Sequence, residues 1–75
     1  WTMRDDYIKG FINDAHRRFN GGKHLENIDL NNKNTIDDYV KLLTKEKGVH
    51  FKRNRPRADE IGLAIRTLVK RKREL

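Results

Sequence analysis

The side chains best suited to chemistry in this sequence are cations concentrated towards its C-terminal end. Residues 49–75 hold nine lysines and arginines against three acids, so most of the net charge of +7 lies in this third. A guanidinium matches two phosphate oxygens at once, and an ammonium acts as a compact point charge. Such one-sided charge predicts a surface that binds a polyanion, above all a nucleic acid. The residues expected to contact it are Lys52, Arg53, Asn54, Arg55, Arg57, Arg66, Lys70, Arg71, Lys72 and Arg73.

Two elements would present these cations. Pro56 disfavours helical structure just before it, so residues 52–57 are expected to form a rigid basic turn that leads into a third helix. That helix is expected to direct its cations away from its apolar stripe: Arg66, Lys70 and Arg73. Lys72 falls on the apolar side, so the last turn of this helix is expected to project past the body or to fray.

The type of nucleic acid is predicted from the aromatic residues. Most of them lie on predicted core stripes, which leaves Trp1 and Phe51 as the main candidates for stacking on unpaired bases. This favours duplex DNA over single strands and over RNA, with recognition of duplex RNA by shape left open. Asn54 could contact a base edge, although an asparagine between arginines before a helix is more often a helix cap.

Two other functions compete with nucleic-acid binding. The basic helix could dock on an acidic protein, or on other domains of a parent protein, with Leu63 and Leu42 as exposed apolar anchors. A basic amphipathic helix could also lie on a membrane surface, but it lacks the aromatic residues that seat such helices. A charge run that only keeps the domain soluble is the simplest interpretation, and the excess of cations over acids argues against it.

Catalysis and metal binding have little support in the sequence. There is no cysteine, and His16, His24 and His50 lack the spacing of metal ligands. The adjacent acids Asp5–Asp6 and Asp37–Asp38 point about 100° apart on a helix, which is wrong for sharing a proton or a metal. We therefore expect no enzymatic activity, no cofactor and no metal.

Three helices are expected to position the basic surface. The first spans about residues 3–19, with Thr2 and Asp5 as a capping box and Asn20, Gly21 and Gly22 as its end. The second is expected from a Thr35 and Asp38 capping box to Gly48, after an ordered loop. Residues 49–51 alternate like a very short strand, which could pair with part of residues 25–30. The third helix should run from Pro56 through at least Val69.

The predicted fold is mainly α: a compact three-helix domain, with a short two-stranded β ribbon as an option. Only 35% of the residues are hydrophobic and 39% are charged, so the core must be small. We expect residues 1–75 to be one domain, a fragment of a larger protein, without a membrane span. We expect it inside the cell, in the nucleus if the source is eukaryotic and in the cytoplasm if bacterial. The expected core consists of Tyr7, Ile8, Phe11, Ile12, Phe19, Ile36, Tyr39, Val40, Leu43, Ile61, Ile65 and Leu68.

Overall fold

Three helices contain most of the chain in the computed structural model, which describes residues 3–75. They are α1 (Asp5–Phe19), α2 (Lys33–His50) and α3 (Arg55–Glu74). The prediction of a mainly helical, three-helix fold is confirmed. No strand occurs within residues 3–75, so the optional ribbon between residues 25–30 and 49–51 is wrong. Gly48 does not take a positive φ that would end α2, so Val49 and His50 complete its last turn.

The end of α1 follows the sequence prediction, whereas its start differs in detail. Gly21 and Gly22 have φ values of +65° and +81°, and the N–H of Gly22 donates to the carbonyl oxygen of Arg17 at 2.8 Å. This is the Schellman arrangement, which satisfies a carbonyl that the helix itself leaves free. At the other end Arg4 is the N-cap and makes no side-chain capping bond. Thr2, the predicted cap, lies outside the described residues.

The start of α2 lies earlier than predicted because another asparagine caps it. The side-chain oxygen of Asn32 accepts hydrogen bonds from the N–H groups of Asn34 and Thr35, at 2.9 and 3.4 Å. This satisfies two free donors of the first turn and allows the helix to begin at Lys33. The Thr35 hydroxyl, predicted to cap the helix, instead donates to the carbonyl oxygen of Asp29 at 2.7 Å.

The ion pairs between helices show how α1, α2 and α3 are oriented. Asp5, the first residue of α1, accepts from Arg71 at the C-terminal end of α3, at 2.8 Å. Asp37, in the N-terminal part of α2, accepts from Lys72 at 2.6 Å. Both α1 and α2 therefore run antiparallel to α3. Residues 20–32 carry the chain back from the end of α1 to the start of α2.

The core lies between the three helices and is supplemented by the loop before α2, which contributes Leu30. Tyr7 and Phe19, both expected in the core, are 57% and 42% exposed. Tyr7 lies about 90° around α1 from the centre of the buried stripe, whereas Phe19 lies on the side of the stripe but is the last residue of the helix. Val40 and Ile65 are only half-buried. The other predicted core residues are confirmed as buried: Ile8, Phe11, Ile12, Ile36, Tyr39, Leu43, Ile61 and Leu68.

Candidate nucleic-acid interface

The turn between α2 and α3 is short, and an asparagine fixes its end. Residues 51–54 connect the two helices, and Asn54 Oδ1 accepts from the N–H of Arg57 at 3.3 Å. Asn54 is the N-cap of α3 and Pro56 lies in the first turn, where its missing N–H costs nothing. The side-chain oxygen of Asn54 is thus used inside the domain, as the helix-cap interpretation of the sequence expected. Its amide NH₂ group remains as an exposed donor.

Arg55 is held against the surface of the turn. Its Nε donates to Asp59 Oδ1 at 3.2 Å, one helical turn further along α3. Its guanidinium also lies over the ring of Phe51, with its central carbon 4.4 Å from the ring centroid. Both side chains of the ion pair are well exposed, so the pair is weak by itself. The pair nevertheless makes Arg55 less available to a ligand, and it balances the charge of Asp59, the acid nearest to the turn.

Arg57 connects α3 to α1. Its Nη2 donates to Asp14 Oδ2 at 2.7 Å, and its guanidinium carbon lies 4.9 Å from the centroid of the Phe11 ring. Only about a third of the Arg57 side chain is exposed. This arginine is therefore a contact between helices within the domain, and any phosphate would have to compete with Asp14 for it.

The last turn of α3 does not fray. The helix continues to Glu74, and the N–H of Leu75 donates to the carbonyl oxygen of Arg71 at 3.2 Å. The ion pairs of Arg71 with Asp5 and of Lys72 with Asp37 fasten this turn to the first turns of α1 and α2. The expectation of a projecting or frayed end is wrong, because Asp5 and Asp37 pair with Arg71 and Lys72 and hold this turn against the other two helices.

The remaining predicted cations form no ion pair with any residue that the structure describes. All are exposed, and none has an ion-pair partner among residues 3–75; we call them the open cations: Lys52, Arg53, Arg66, Lys70 and Arg73. The three on α3 lie within an arc of about 60° and about 10 Å along the helix axis. The structure therefore divides the ten predicted residues into five open ones and five with internal bonds.

Lys47 of α2 is a further cation at this face that the sequence analysis did not select. It is half-buried and its side chain lies across α3 at Gly62, in a groove that Leu63 and Arg66 also line. Lys47 has no ion-pair partner among the residues described. A signal existed in the sequence, because Lys47 follows Leu43 by four residues and so lies on the same side of α2 as the core.

Glu46 is the other residue that the sequence analysis missed. It is 1% exposed, the only charged side chain buried among residues 3–75, and its Oε1 accepts from Arg18 Nε at 2.5 Å. Its Oε2 lies 3.6 Å from His50 Nε2, a buried nitrogen without a hydrogen-bond partner. The stripe of Tyr39 and Leu43 continues to Glu46 at helical spacing, which was a signal for its burial. The ion pair between Arg18 and Glu46 connects the C-terminal halves of α1 and α2.

The structure offers little for other kinds of site in the part of the chain that it describes. No group of three or more histidine, cysteine or acidic residues within residues 3–75 could hold a metal ion. No helix in that range has the length and apolar character needed to span a membrane. Leu42 and Leu63, expected to be exposed anchors for a protein partner, are half-buried against the core.

Comparisons with protein-family models, curated proteins and solved structures find no match to this chain.

Proposed function

We propose that this domain binds nucleic acid, with duplex DNA preferred, by neutralising backbone phosphates with the open cations. The observation that carries the proposal is the absence of internal partners for these five side chains within residues 3–75, although acids pair with other cations nearby. An exposed cation without a partner retains its full charge for a ligand. The counterions released from neutralised phosphates would supply most of the affinity.

The open cations form two groups that one duplex could contact. Lys52 and Arg53 lie in the turn, and the group on α3 begins at Arg66, about 16 Å further along the helix axis. Double-stranded DNA carries a phosphate charge about every 1.7 Å along its axis, so phosphates are available for both groups. The acid between them, Asp59, is already paired with Arg55. Repulsion of the ligand from this point is therefore reduced.

The surroundings of the exposed aromatic rings support a duplex over single strands. Tyr7, Phe19 and Phe51 are exposed, but each has a cation of the domain over one face of its ring, at 5.4, 5.9 and 4.4 Å respectively. Tyr7 and Phe19 also lie about 18 Å apart along α1, which is too far for consecutive bases to stack on both. A row of bases stacked on aromatic rings therefore has no suitable surface among the described residues.

The salt dependence of binding tests the proposal. If the five open cations each neutralise a phosphate, log K for duplex DNA should fall against log salt with a slope of about −4 to −5. Fluorescence anisotropy with a labelled duplex between 50 and 300 mM salt would measure this slope. The variant Lys52→Ala/Arg53→Ala should reduce its magnitude by about two. Lys9→Ala/Lys23→Ala is the matched control, since it removes two exposed lysines, one on α1 and one in the loop after it, that are not among the open cations.

Two results would contradict the proposal. A slope shallower than about −1 on duplex DNA would exclude phosphate neutralisation by several cations. Tighter binding to an acidic polypeptide such as polyglutamate than to DNA, at equal salt, would instead favour docking on an acidic protein. Single-stranded DNA and duplex RNA, measured in the same way, would establish the type of nucleic acid.

A further inference from the structure

Lys47 and Arg66 approach the same groove from different helices. The groove is lined by Lys47 of α2 and by residues of α3: Asp59, Gly62, Leu63, Ile65 and Arg66. A Cβ atom placed on Gly62 would lie 3.3 Å from Lys47 Nζ and 3.6 Å from its Cε. The absence of a side chain at Gly62 therefore lets the Lys47 ammonium lie a few tenths of an ångström closer to α3 than a Cβ atom there would allow.

The charges in this groove leave it open to an anion. Neither Lys47 nor Arg66 forms an ion pair with any residue in the range 3–75, and the nearest acid in the groove, Asp59, is engaged by Arg55 at 3.2 Å. Arg66 is exposed and Lys47 is half-buried. Burial of the Lys47 stem reduces its freedom before any ligand binds, so less conformational entropy is lost when its ammonium makes a contact.

We propose that Lys47 and Arg66 form a phosphate subsite over Gly62, which binds a backbone phosphate of the nucleic acid. This inference rests on the proposed function and adds a specific contact to it. Arg66 supplies a planar pair of donors and Lys47 a point charge, a combination suited to one phosphate group. The subsite adds a cation from α2 to the phosphate contacts that Lys70 and Arg73 make from α3. Lys47 therefore contacts the nucleic acid directly, although it is half-buried.

The test removes the ammonium in one variant and displaces it in another. Lys47→Met keeps an apolar stem of similar length and loses the charge; Lys45→Met is its control, because Lys45 is an exposed lysine on the same helix. Gly62→Ala retains every charge, but its new Cβ shifts the Lys47 ammonium by a few tenths of an ångström. Gly48→Ala is the control for this change, since nothing lies within 4 Å of its new Cβ. Thermal melts by circular dichroism would verify that all four variants fold.

Binding of a labelled DNA duplex gives the expected result for each variant. Loss of one phosphate contact at 0.1 M salt corresponds to about eightfold weaker binding and to a salt slope shallower by about one. We expect this for Lys47→Met, with a smaller loss for Lys45→Met. Gly62→Ala should weaken binding less than Lys47→Met, because it shifts the ammonium and does not remove it, whereas Gly48→Ala should leave binding unchanged. If Gly62 acts through the lysine, adding Gly62→Ala to Lys47→Met should cause no further loss.

The outcomes separate this inference from the proposed function. A steep salt slope for the wild-type protein, with Lys47→Met equal to Lys45→Met, would overturn the subsite and leave the proposed function standing. A wild-type slope shallower than about −1 would overturn the proposed function and the subsite together.

Discussion

Because the carboxylate of Glu46 is buried, the stability of the domain should depend on its ion-pair partner, Arg18. In the variant Arg18→Ala, Glu46, which is 1% exposed in the wild-type protein, loses the guanidinium that contacts its Oε1 at 2.5 Å. Removing one partner of a fully buried pair costs about 3 to 5 kcal/mol, because a charge remains without compensation. Arg18 is 45% exposed, so water can enter where its guanidinium was, and we expect a smaller cost of about 2 kcal/mol.

Thermal unfolding followed by circular dichroism would measure this cost. For a domain of this size, about 2 kcal/mol corresponds to a fall in Tm of about 8 to 16 °C. Arg17→Ala is the matched control, because Arg17 is an exposed arginine in the same last turn of α1 and has no ion-pair partner among residues 3–75. Both variants lose the same favourable interaction with the helix dipole. Only Arg18→Ala leaves a buried charge.

A second substitution tests the reason for the effect. Glu46→Leu breaks the same ion pair, but it removes the buried charge and leaves Arg18 free to contact water. It should cost less than Arg18→Ala, and adding it to Arg18→Ala should restore part of the lost stability. Equal melting temperatures for Arg18→Ala and Arg17→Ala would refute the reasoning. A double variant that is less stable than Arg18→Ala would also contradict it.

Two further predictions concern the helix faces and the turns. Phe11→Ala should cost about 3 to 5 kcal/mol and leave the domain largely unfolded at room temperature, since Phe11 is 8% exposed in the core. Phe19→Ala should have little effect on the melting curve, and a similar loss in both variants would contradict the assigned buried face. Gly21→Ala should destabilise by about 1 kcal/mol because of its φ of +65°, whereas Gly10→Ala, with open space around its Cβ, should stabilise by about 0.5 to 1 kcal/mol. In chemical denaturation the reverse order of the two midpoints would refute this.

The helices could be predicted because their apolar periodicity is strong, whereas their ends depend on individual hydrogen bonds. The spacing of Ile36, Tyr39 and Leu43 alone predicted which side of α2 faces the core. All three residues are buried. The start of α2 was misplaced because both Asn32 and Thr35 are good caps. Choosing between them requires the tertiary contact of the Thr35 hydroxyl with the carbonyl oxygen of Asp29. Gly48 was taken as a helix end, although glycine can also remain helical at a modest cost.

The candidate interface could be predicted as a region and only partly as a set of residues. Charge along the chain located it in the last third, but the sequence does not show which cations meet acids of other helices. Arg57 and Asp14 are 43 residues apart, and Arg71 and Asp5 are 66 residues apart. Such pairs depend on the directions of the helices, which periodicity does not determine. Lys47 lies beside the candidate interface for the same reason, through the packing of α2 on α3.

The four-residue turn at residues 51–54 has a consequence for the order in which the domain assembles. α2 and α3 are close in sequence and antiparallel, so their mutual packing closes a short loop and costs little chain entropy. α1 reaches them only through the longer segment of residues 20–32. This topology favours early formation of the α2–α3 hairpin and late docking of α1. Since the open cations all belong to the hairpin and its turn, transient undocking of α1 would leave the whole basic surface intact.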